Sequence, residues 1–184
     1  MEYKIIKNFV SKDEQKKLAE WIINNKDTPG LFKDAGMEGN RITTRYSKDF
    51  SFSATAYKIQ KRIIKQLKLK DFKFKFKLPW DVNHGIIASY AGENDICYEH
   101  TDPQWYPLSD TLHCNLMLQK PLGGGKPIIN KKEIDLNERD LWCYYVSKVP
   151  HGSSKVIGKR PRLMYVFSFC IKGENSSLHF RHHC

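Results

Sequence analysis

The chain carries His100-Thr101-Asp102 and, 51 residues beyond His100, His151, a set of two imidazoles and one carboxylate. That donor set suits Fe(II) and leaves coordination positions open for oxygen chemistry. His100 and Asp102 stand two residues apart, and in an extended segment such residues project to the same side, so one metal ion can meet both. The stretch between Asp102 and His151 is long enough for several antiparallel strands to return the second imidazole to the same place. Arg160 and Arg162 follow His151 by 9 and 11 residues. A guanidinium beyond a metal site can grip the carboxylate of an organic co-substrate through two parallel hydrogen bonds. A lone His-x-Asp arises by chance; the ordered series of His-x-Asp, distant His and then Arg is much more specific.

Other segments stand in a matching order around these residues. Ser89-Tyr90-Ala91-Gly92 precedes His100, and Gly123-Gly124-Gly125 follows the apolar run Leu116-Met117-Leu118. Asp140-Leu141-Trp142 precedes Val149-Pro150-His151, and Gly158-Lys159-Arg160-Pro161-Arg162-Leu163 closes the series. In this order the chain resembles the Fe(II)/2-oxoglutarate-dependent dioxygenases, in their prolyl 4-hydroxylase-like branch, over roughly residues 85 to 170. Departures from the family pattern are local. Gly92 follows Tyr90 one residue early, and Glu138-Arg139-Asp140 stands where many relatives have Pro-Gly-Asp. The co-substrate arginine has two alignments: counting from Gly158 selects Arg160, and counting from His151 selects Arg162. Arg162 is favoured because Arg162-Leu163-Met164-Tyr165-Val166-Phe167 continues as an apolar strand.

The resemblance implies His100, Asp102 and His151 as ligands of Fe(II). It further implies that 2-oxoglutarate takes two of the remaining positions and O2 the last. Oxidative decarboxylation to succinate and CO2 would then drive hydroxylation of a substrate C–H bond. Where that carbon sits on nitrogen, the hydroxylated product collapses, and the same site acts as a demethylase. Tyr90 is implied to help hold 2-oxoglutarate through its hydroxyl. Trp105, Tyr106, Asn115 and Arg45 are candidate substrate contacts, with packing roles as their alternatives. His113 is a structural histidine by default, with a pocket role competing because Leu112 to Gln119 reads as a barrel strand.

The expected substrate is peptidyl, with proline first, or a small molecule. An oxidative nucleic-acid demethylase is the alternative that the net charge of +11 motivates. A non-catalytic metal-binding jelly-roll module is the third reading, though a structural metal has no need of an arginine beyond its distal histidine. The lysines read mainly as solvated surface, with Lys61, Lys65 and Lys68 recurring at helical spacing. No aromatic-plus-basic signature of a nucleic-acid fold occurs, so diffuse charge implies only weak, nonspecific nucleic-acid binding.

The elements that must position these residues are legible in part. Ser11 with Glu14 three residues later makes a capping box, followed by Leu18, Trp21, Ile22 and Ile23 and an end near Asn25. A second helix is expected over about 53–68, with Ala56, Ile59, Ile63 and Leu67 on one face. Residues 31–51 lack periodicity and read as a long loop. Asp71 to Lys77 alternates Phe and Lys and reads as a half-exposed strand. Further strands are expected over about 85–91, 95–100, 111–119, 126–129, 132–136, 140–146 and 161–171. Two helices followed by many short strands predict a mainly β fold, a double-stranded β-helix or jelly roll buttressed by N-terminal helices. The chain of 184 residues suits one oxygenase domain over 1–172, helical over 1–70 and jelly-roll over 71–172, with a polar tail at 173–184. Its five cysteines are spread without a Cys-x-x-Cys pair, which fits reduced thiols and an intracellular, cytoplasmic setting. No run of 18 or more apolar residues occurs, and no membrane partner is expected.

Overall fold

A computed structural model describes residues 3–28, 32–34, 45–47, 54–69, 86–102 and 109–172. In chain order the elements are β1 (Tyr3–Ile6), α1 (Lys12–Asn25), β2 (Phe32–Asp34), β3 (Arg45–Ser47), α2 (Ala54–Gln66), β4 (Ile86–Ala91) and β5 (Cys97–His100). They continue with β6 (Ser109–Gln119), β7 (Gly123–Gly124), β8 (Pro127–Ile129), β9 (Lys132–Glu133), β10 (Leu141–Tyr145), β11 (His151–Ser153), β12 (Val156–Ile157) and β13 (Arg162–Lys172). The expected strand at 71–77 lies outside the described residues, as do Trp105, Tyr106 and the tail. The expected loop over 31–51 contains β2 and β3, which pair with each other, and β3 also pairs with β4. Three-residue strands show no readable alternation, which is why the sequence does not announce them.

Every strand pairing is antiparallel, as a jelly roll requires. One seven-stranded sheet runs β1-β10-β6-β13-β4-β3-β2, a second sheet runs β5-β11-β8-β9, and β12 pairs with β7. Alternation along the large sheet divides its side chains between two cores. Leu112, Cys114, Leu116 and Leu118 of β6 face the helices, together with Leu141, Cys143 and Tyr145 of β10 and Leu163, Tyr165, Phe167 and Phe169 of β13. Leu18 and Ile22 of α1 and Ala56, Ile59 and Ile63 of α2 complete that layer, all fully buried. The opposite face presents Met117, Trp142, Tyr144 and Met164, which pack on Ile129, Ile134, Leu136, Val146 and Val149 from the side of the smaller sheet. This second, inner core underlies the candidate site.

Local chemistry explains the helix starts and the N-terminal strand. The Ser11 hydroxyl accepts from the Glu14 amide at 3.1 Å, and the Glu14 carboxylate accepts from the Ser11 amide at 2.9 Å, the reciprocal pairing of a capping box. Glu14 also binds Arg62 of α2 and so ties the two helices together. Ile23, expected in the buried stripe of α1, is 41% exposed; Leu18 and Ile22 carry that burial. Asp140 is buried, and its carboxylate accepts from the amides of Asn8 and Asn137 and from the Lys7 ammonium. It thereby fastens the end of β1 beside β10. Arg139, standing where a glycine is common, adopts the left-handed backbone at φ 74°. Backbone bonds from its amide to the Met117 carbonyl and from the Phe9 amide to its own carbonyl hold it there.

Candidate metal and co-substrate site

The smaller sheet positions the two imidazoles. β11 pairs with β5 so that His151 stands directly opposite His100, and their ring centroids lie 4.6 Å apart. Directly opposed residues of an antiparallel pair project to the same face, which is why two histidines 51 positions apart meet here. Gly152 sets the closeness of the two strands. A Cβ on it would fall 2.5 Å from the Cys97 carbonyl oxygen and 3.0 Å from the Glu99 amide nitrogen. Just past β5, the Asp102 amide donates to the Val146 carbonyl at 2.9 Å, and this bond holds the carboxylate beside the histidines.

The donor geometry is specific. His100 Nε2 lies 3.3 Å and His151 Nε2 3.9 Å from the same Asp102 oxygen. One ligand atom from each of the three residues lies within 4.8 Å of the others. His100 Nδ1 donates to the Tyr98 carbonyl at 2.7 Å, and His151 Nδ1 donates to the Val149 carbonyl at 2.9 Å. Each imidazole therefore donates a hydrogen bond from Nδ1 to the carbonyl two residues before it. A carbonyl only accepts, so both rings are fixed in the tautomer that leaves the Nε2 lone pair for a cation.

The titration behaviour follows from the same contacts. The hydrogen bond to Asp102, with help from Cys97 and the Tyr98 carbonyl, raises His100 to about 10 against the burial that opposes it. Burial lowers His151, and the Val149 carbonyl and Asp102 only partly offset it. For Asp102, burial raises the carboxyl. The hydrogen bond from His100 and the positive field of His113, His151 and His100 outweigh it, so the group sits below its ordinary value. His100, raised, therefore carries the proton that faces the ionised Asp102 carboxylate.

The inner face of the large sheet completes the site. His113 and Tyr144 are paired across β6 and β10, and the Tyr144 ring packs against His151 with centroids 4.9 Å apart. Asn115 and Met117 follow His113 on the same side of β6 by alternation. Arg162, the first residue of β13, is only 3% exposed and donates to the Gly125 carbonyl at 3.1 Å. Gly124 and Gly125 adopt φ of 59° and 60°, and the chain then enters β8, whose Ile129 pairs with His151. At Gly124 a Cβ would fall 1.9 Å from the Lys155 carbonyl oxygen, so the turn that presents its neighbour's carbonyl to Arg162 requires glycine. The amide nitrogen of Asn115 and the hydroxyls of Ser89 and Ser168 are buried with no hydrogen-bond partner among the described residues. Ser89 pairs with Met164 and Ser168 with His113, so by alternation all three stand on the inner face. Buried polar atoms of that kind fit a site that receives a polar ligand or water.

The structure gathers His100, Asp102 and His151 tightly and sets Arg162 and Asn115 on the inner face. It separates Arg160 and Tyr90 from them. Arg160 lies before β13, its side chain is 46% exposed, and it pairs with Glu138 at 2.8 Å. The two arginines therefore lie in opposite environments, Arg162 buried and Arg160 exposed. Tyr90 also departs from its expected role: it stands opposite Leu163 and packs on the helix-side core, with the Lys26 ammonium 5.7 Å from its ring centroid. Its neighbour Ala91, not Tyr90, is the partner of Arg162. Arg45 stands on β3 opposite Tyr90. Tyr144 and Gly152 were not singled out by sequence reasoning. The parity of Tyr144 with Trp142 was readable, but nothing in the spacing shows that His151 returns to this strand.

No protein-family model and no curated protein matches the chain. Solved structures do match its shape. The viral collagen prolyl hydroxylase of Paramecium bursaria Chlorella virus-1, solved as its 2-oxoglutarate complex, superimposes with a TM-score of 0.68 at 14% identity, over 93% of this chain and 97% of that one. A Pseudomonas putida prolyl-4-hydroxylase matches with a TM-score of 0.67 at 15% identity, over 93% of each chain. HygX from Streptomyces hygroscopicus, with nickel and 2-oxoglutarate bound, matches with a TM-score of 0.66 at 10% identity, over 92% of this chain and 82% of that one. The fold of this chain is therefore that of the prolyl 4-hydroxylase-like jelly rolls.

Proposed function

We propose that the protein is an Fe(II)- and 2-oxoglutarate-dependent dioxygenase that hydroxylates a C–H bond of a peptidyl or small-molecule substrate. The observation that carries this reading is the convergence of His100, Asp102 and His151 ligand atoms within 4.8 Å, on a fold whose neighbours include 2-oxoglutarate complexes. The donor set fits the metal: two neutral imidazoles and one carboxylate leave the remaining coordination positions for co-substrate and oxygen. Bound Fe(II), with 2-oxoglutarate and O2, supplies oxidative decarboxylation coupled to hydroxylation.

The residues have separate tasks. His100 and His151 present Nε2 and keep their tautomers through the Tyr98 and Val149 carbonyls. Asp102 supplies the anionic ligand, and His100 gives up its Nε2 proton when metal binds. Arg162 binds the distal carboxylate of 2-oxoglutarate, and its burial keeps that ion pair out of water, where it is stronger. The Asn115 amide offers a buried donor to co-substrate or substrate. Tyr144 and the inner apolar core exclude water around the metal. Residues 1–172 act as one such oxygenase domain. Among the described residues no helix is long and apolar enough to cross a membrane.

The peptidyl reading has the support of two prolyl hydroxylases among the structural neighbours, and HygX, also solved with hygromycin B bound, supports the small-molecule reading. Calorimetry of 2-oxoglutarate with Mn(II) in place of Fe(II) tests the first step; absence of binding sinks the reading. Succinate formation with proline-containing peptides, compared with methylated single-stranded oligonucleotides, then tests the substrate class. Clear stimulation by the oligonucleotides with release of formaldehyde would favour a demethylase instead.

A further inference from the structure

The outer face of α2 carries a stripe of positive charge that the oxygenase reading does not use. Tyr57, Lys58, Lys61 and Lys65 are exposed, and Lys68 is exposed on the turn that ends the helix. At 100° per residue these helix positions fall on one side, opposite Ala56, Ile59 and Ile63. The contrast with α1 is informative. There Lys16 and Lys17 pair with Glu20 and Asp13 one turn away. α2 contains no acidic residue at all. Among the described residues Lys58, Lys61, Lys65 and Lys68 make no ion pair, whereas Arg62 is paired with Glu14. Like charges at these spacings repel along a helix, and no described carboxylate offsets them.

We propose that this face is a docking strip for the backbone of single-stranded nucleic acid. Lys58 to Lys65 spans about 10 Å of helix, and a strand carries one charge per about 3.4 Å, so the stripe faces about three phosphates, with Lys68 beyond. Tyr57 is 52% exposed at the head of the stripe, with the Lys61 ammonium 4.5 Å from its ring centroid. An exposed aromatic among lysines suits a base stacked beside its phosphate. A membrane surface fits worse, because the apolar face of α2 is spent in the core and leaves no anchor to insert. The metal group lies across the large sheet from α2, on the inner core. The strip thus tethers the protein to nucleic acid without presenting a base to the metal, and the proposal stands apart from the oxygenase reading.

The test is fluorescence anisotropy of a labelled 20-nucleotide oligothymidylate across a salt series. Two quadruple variants are compared: Lys58→Gln, Lys61→Gln, Lys65→Gln and Lys68→Gln in the stripe, and Lys131→Gln, Lys132→Gln, Lys155→Gln and Lys159→Gln as exposed controls of equal charge. The stripe variant should lower the slope of log K against log salt by about 3 and weaken binding on the order of a hundredfold at 0.1 M salt. The control should stay near wild type, and 2-oxoglutarate binding should be unchanged in both. Lysine acetylation footprinting of the wild-type protein, which needs no variant, should show protection of the four stripe lysines. Equal losses in both variants would mean diffuse charge and overturn the proposal. So would no binding by wild type, unprotected stripe lysines, or polyglutamate of equal charge binding as tightly through the same lysines.

Discussion

Truncation of Arg162 should weaken 2-oxoglutarate binding far more than truncation of Arg160. The two guanidiniums are two residues apart in sequence and lie in opposite environments. Arg162 is 3% exposed on the inner face, where a charge-assisted hydrogen bond to a carboxylate is worth about 1.5–3 kcal/mol. Arg162→Ala should therefore raise the 2-oxoglutarate Kd by roughly 10- to 150-fold. Arg160 is 46% exposed and bound to Glu138, a surface pair of the kind worth about 0–1 kcal/mol, and its removal should leave the Kd within about twofold. The assay is calorimetry with Mn(II) in the metal site, with a thermal melt of each variant alongside. The melt matters because Arg162 also donates to the Gly125 carbonyl, and stranding that acceptor should cost about 1–3 kcal/mol of stability. Arg162→Lys keeps the charge but cannot make a two-pronged contact, so it should recover only part of the affinity. An Arg160→Ala loss equal to or larger than that of Arg162→Ala would refute the reasoning. An Arg162→Ala protein that melts normally and binds 2-oxoglutarate like wild type would do the same.

His100→Ala and His151→Ala should each abolish metal-dependent turnover of 2-oxoglutarate while circular dichroism stays that of wild type; activity surviving in either removes the triad assignment. Gly152→Ala should force β5 and β11 apart, since its Cβ would fall 2.5 Å from the Cys97 carbonyl oxygen. Expect about 1–3 kcal/mol lost in denaturant unfolding and at least about tenfold weaker metal binding, with an unchanged metal Kd as the refuting result. Metal uptake at pH 7.5 should release about one proton, measured by calorimetry in buffers of different ionisation enthalpy. His100, raised to about 10, must lose its proton to bind metal, while His151, lowered by burial, is already neutral. Release of none, or of two, would contradict this assignment. In the metal-free protein the raised His100 contributes stability that is complete below its unfolded value of about 6.5 and is lost as the pH climbs toward about 10. The lowered Asp102 contributes stability above its unfolded value that is lost in acid. The melting temperature of the apo protein should therefore fall between pH 7 and 10 and hold steady if the pair is instead unprotonated.

Much of the site was legible because its chemistry depends on residue type and order. His-x-Asp needs only a local extended segment, and the structure places His100 at the end of β5 and Asp102 just past it. That His151 joins them depends on the His151–His100 register, which no local pattern encodes; only the order of motifs along the chain suggested it. The burial of Arg162 and the exposure of Arg160 favour the arginine that begins the apolar strand, a signal already visible in the sequence. Tyr90 shows where motif analogy outran geometry. Its parity with Ile86 and Ala88, both in the helix-side core, assigns it to the helix face. Period-two counting along β4 alone would have placed it there. The helices were clear from a capping box and a 3.6-residue stripe. The short strands β2, β3, β7, β11 and β12 were not, because two or three residues carry no period.

Burial also separates what holds the fold from what does the chemistry. Asp140 belongs to the same motif series as His151, yet it is occupied by Lys7, Asn8 and Asn137, so its task is to lock β1 to β10. Among the described residues Asp102 accepts no backbone amide, and its carboxylate faces the His100 and His151 ring nitrogens. A carboxylate satisfied by amides has nothing left for a metal; one surrounded by imidazole nitrogens whose tautomers are fixed elsewhere is prepared for a cation. The same distinction divides Arg160 from Arg162. In each pair the sequence offers equivalent residues, and the partner atoms decide which of them is free to act on something outside the chain.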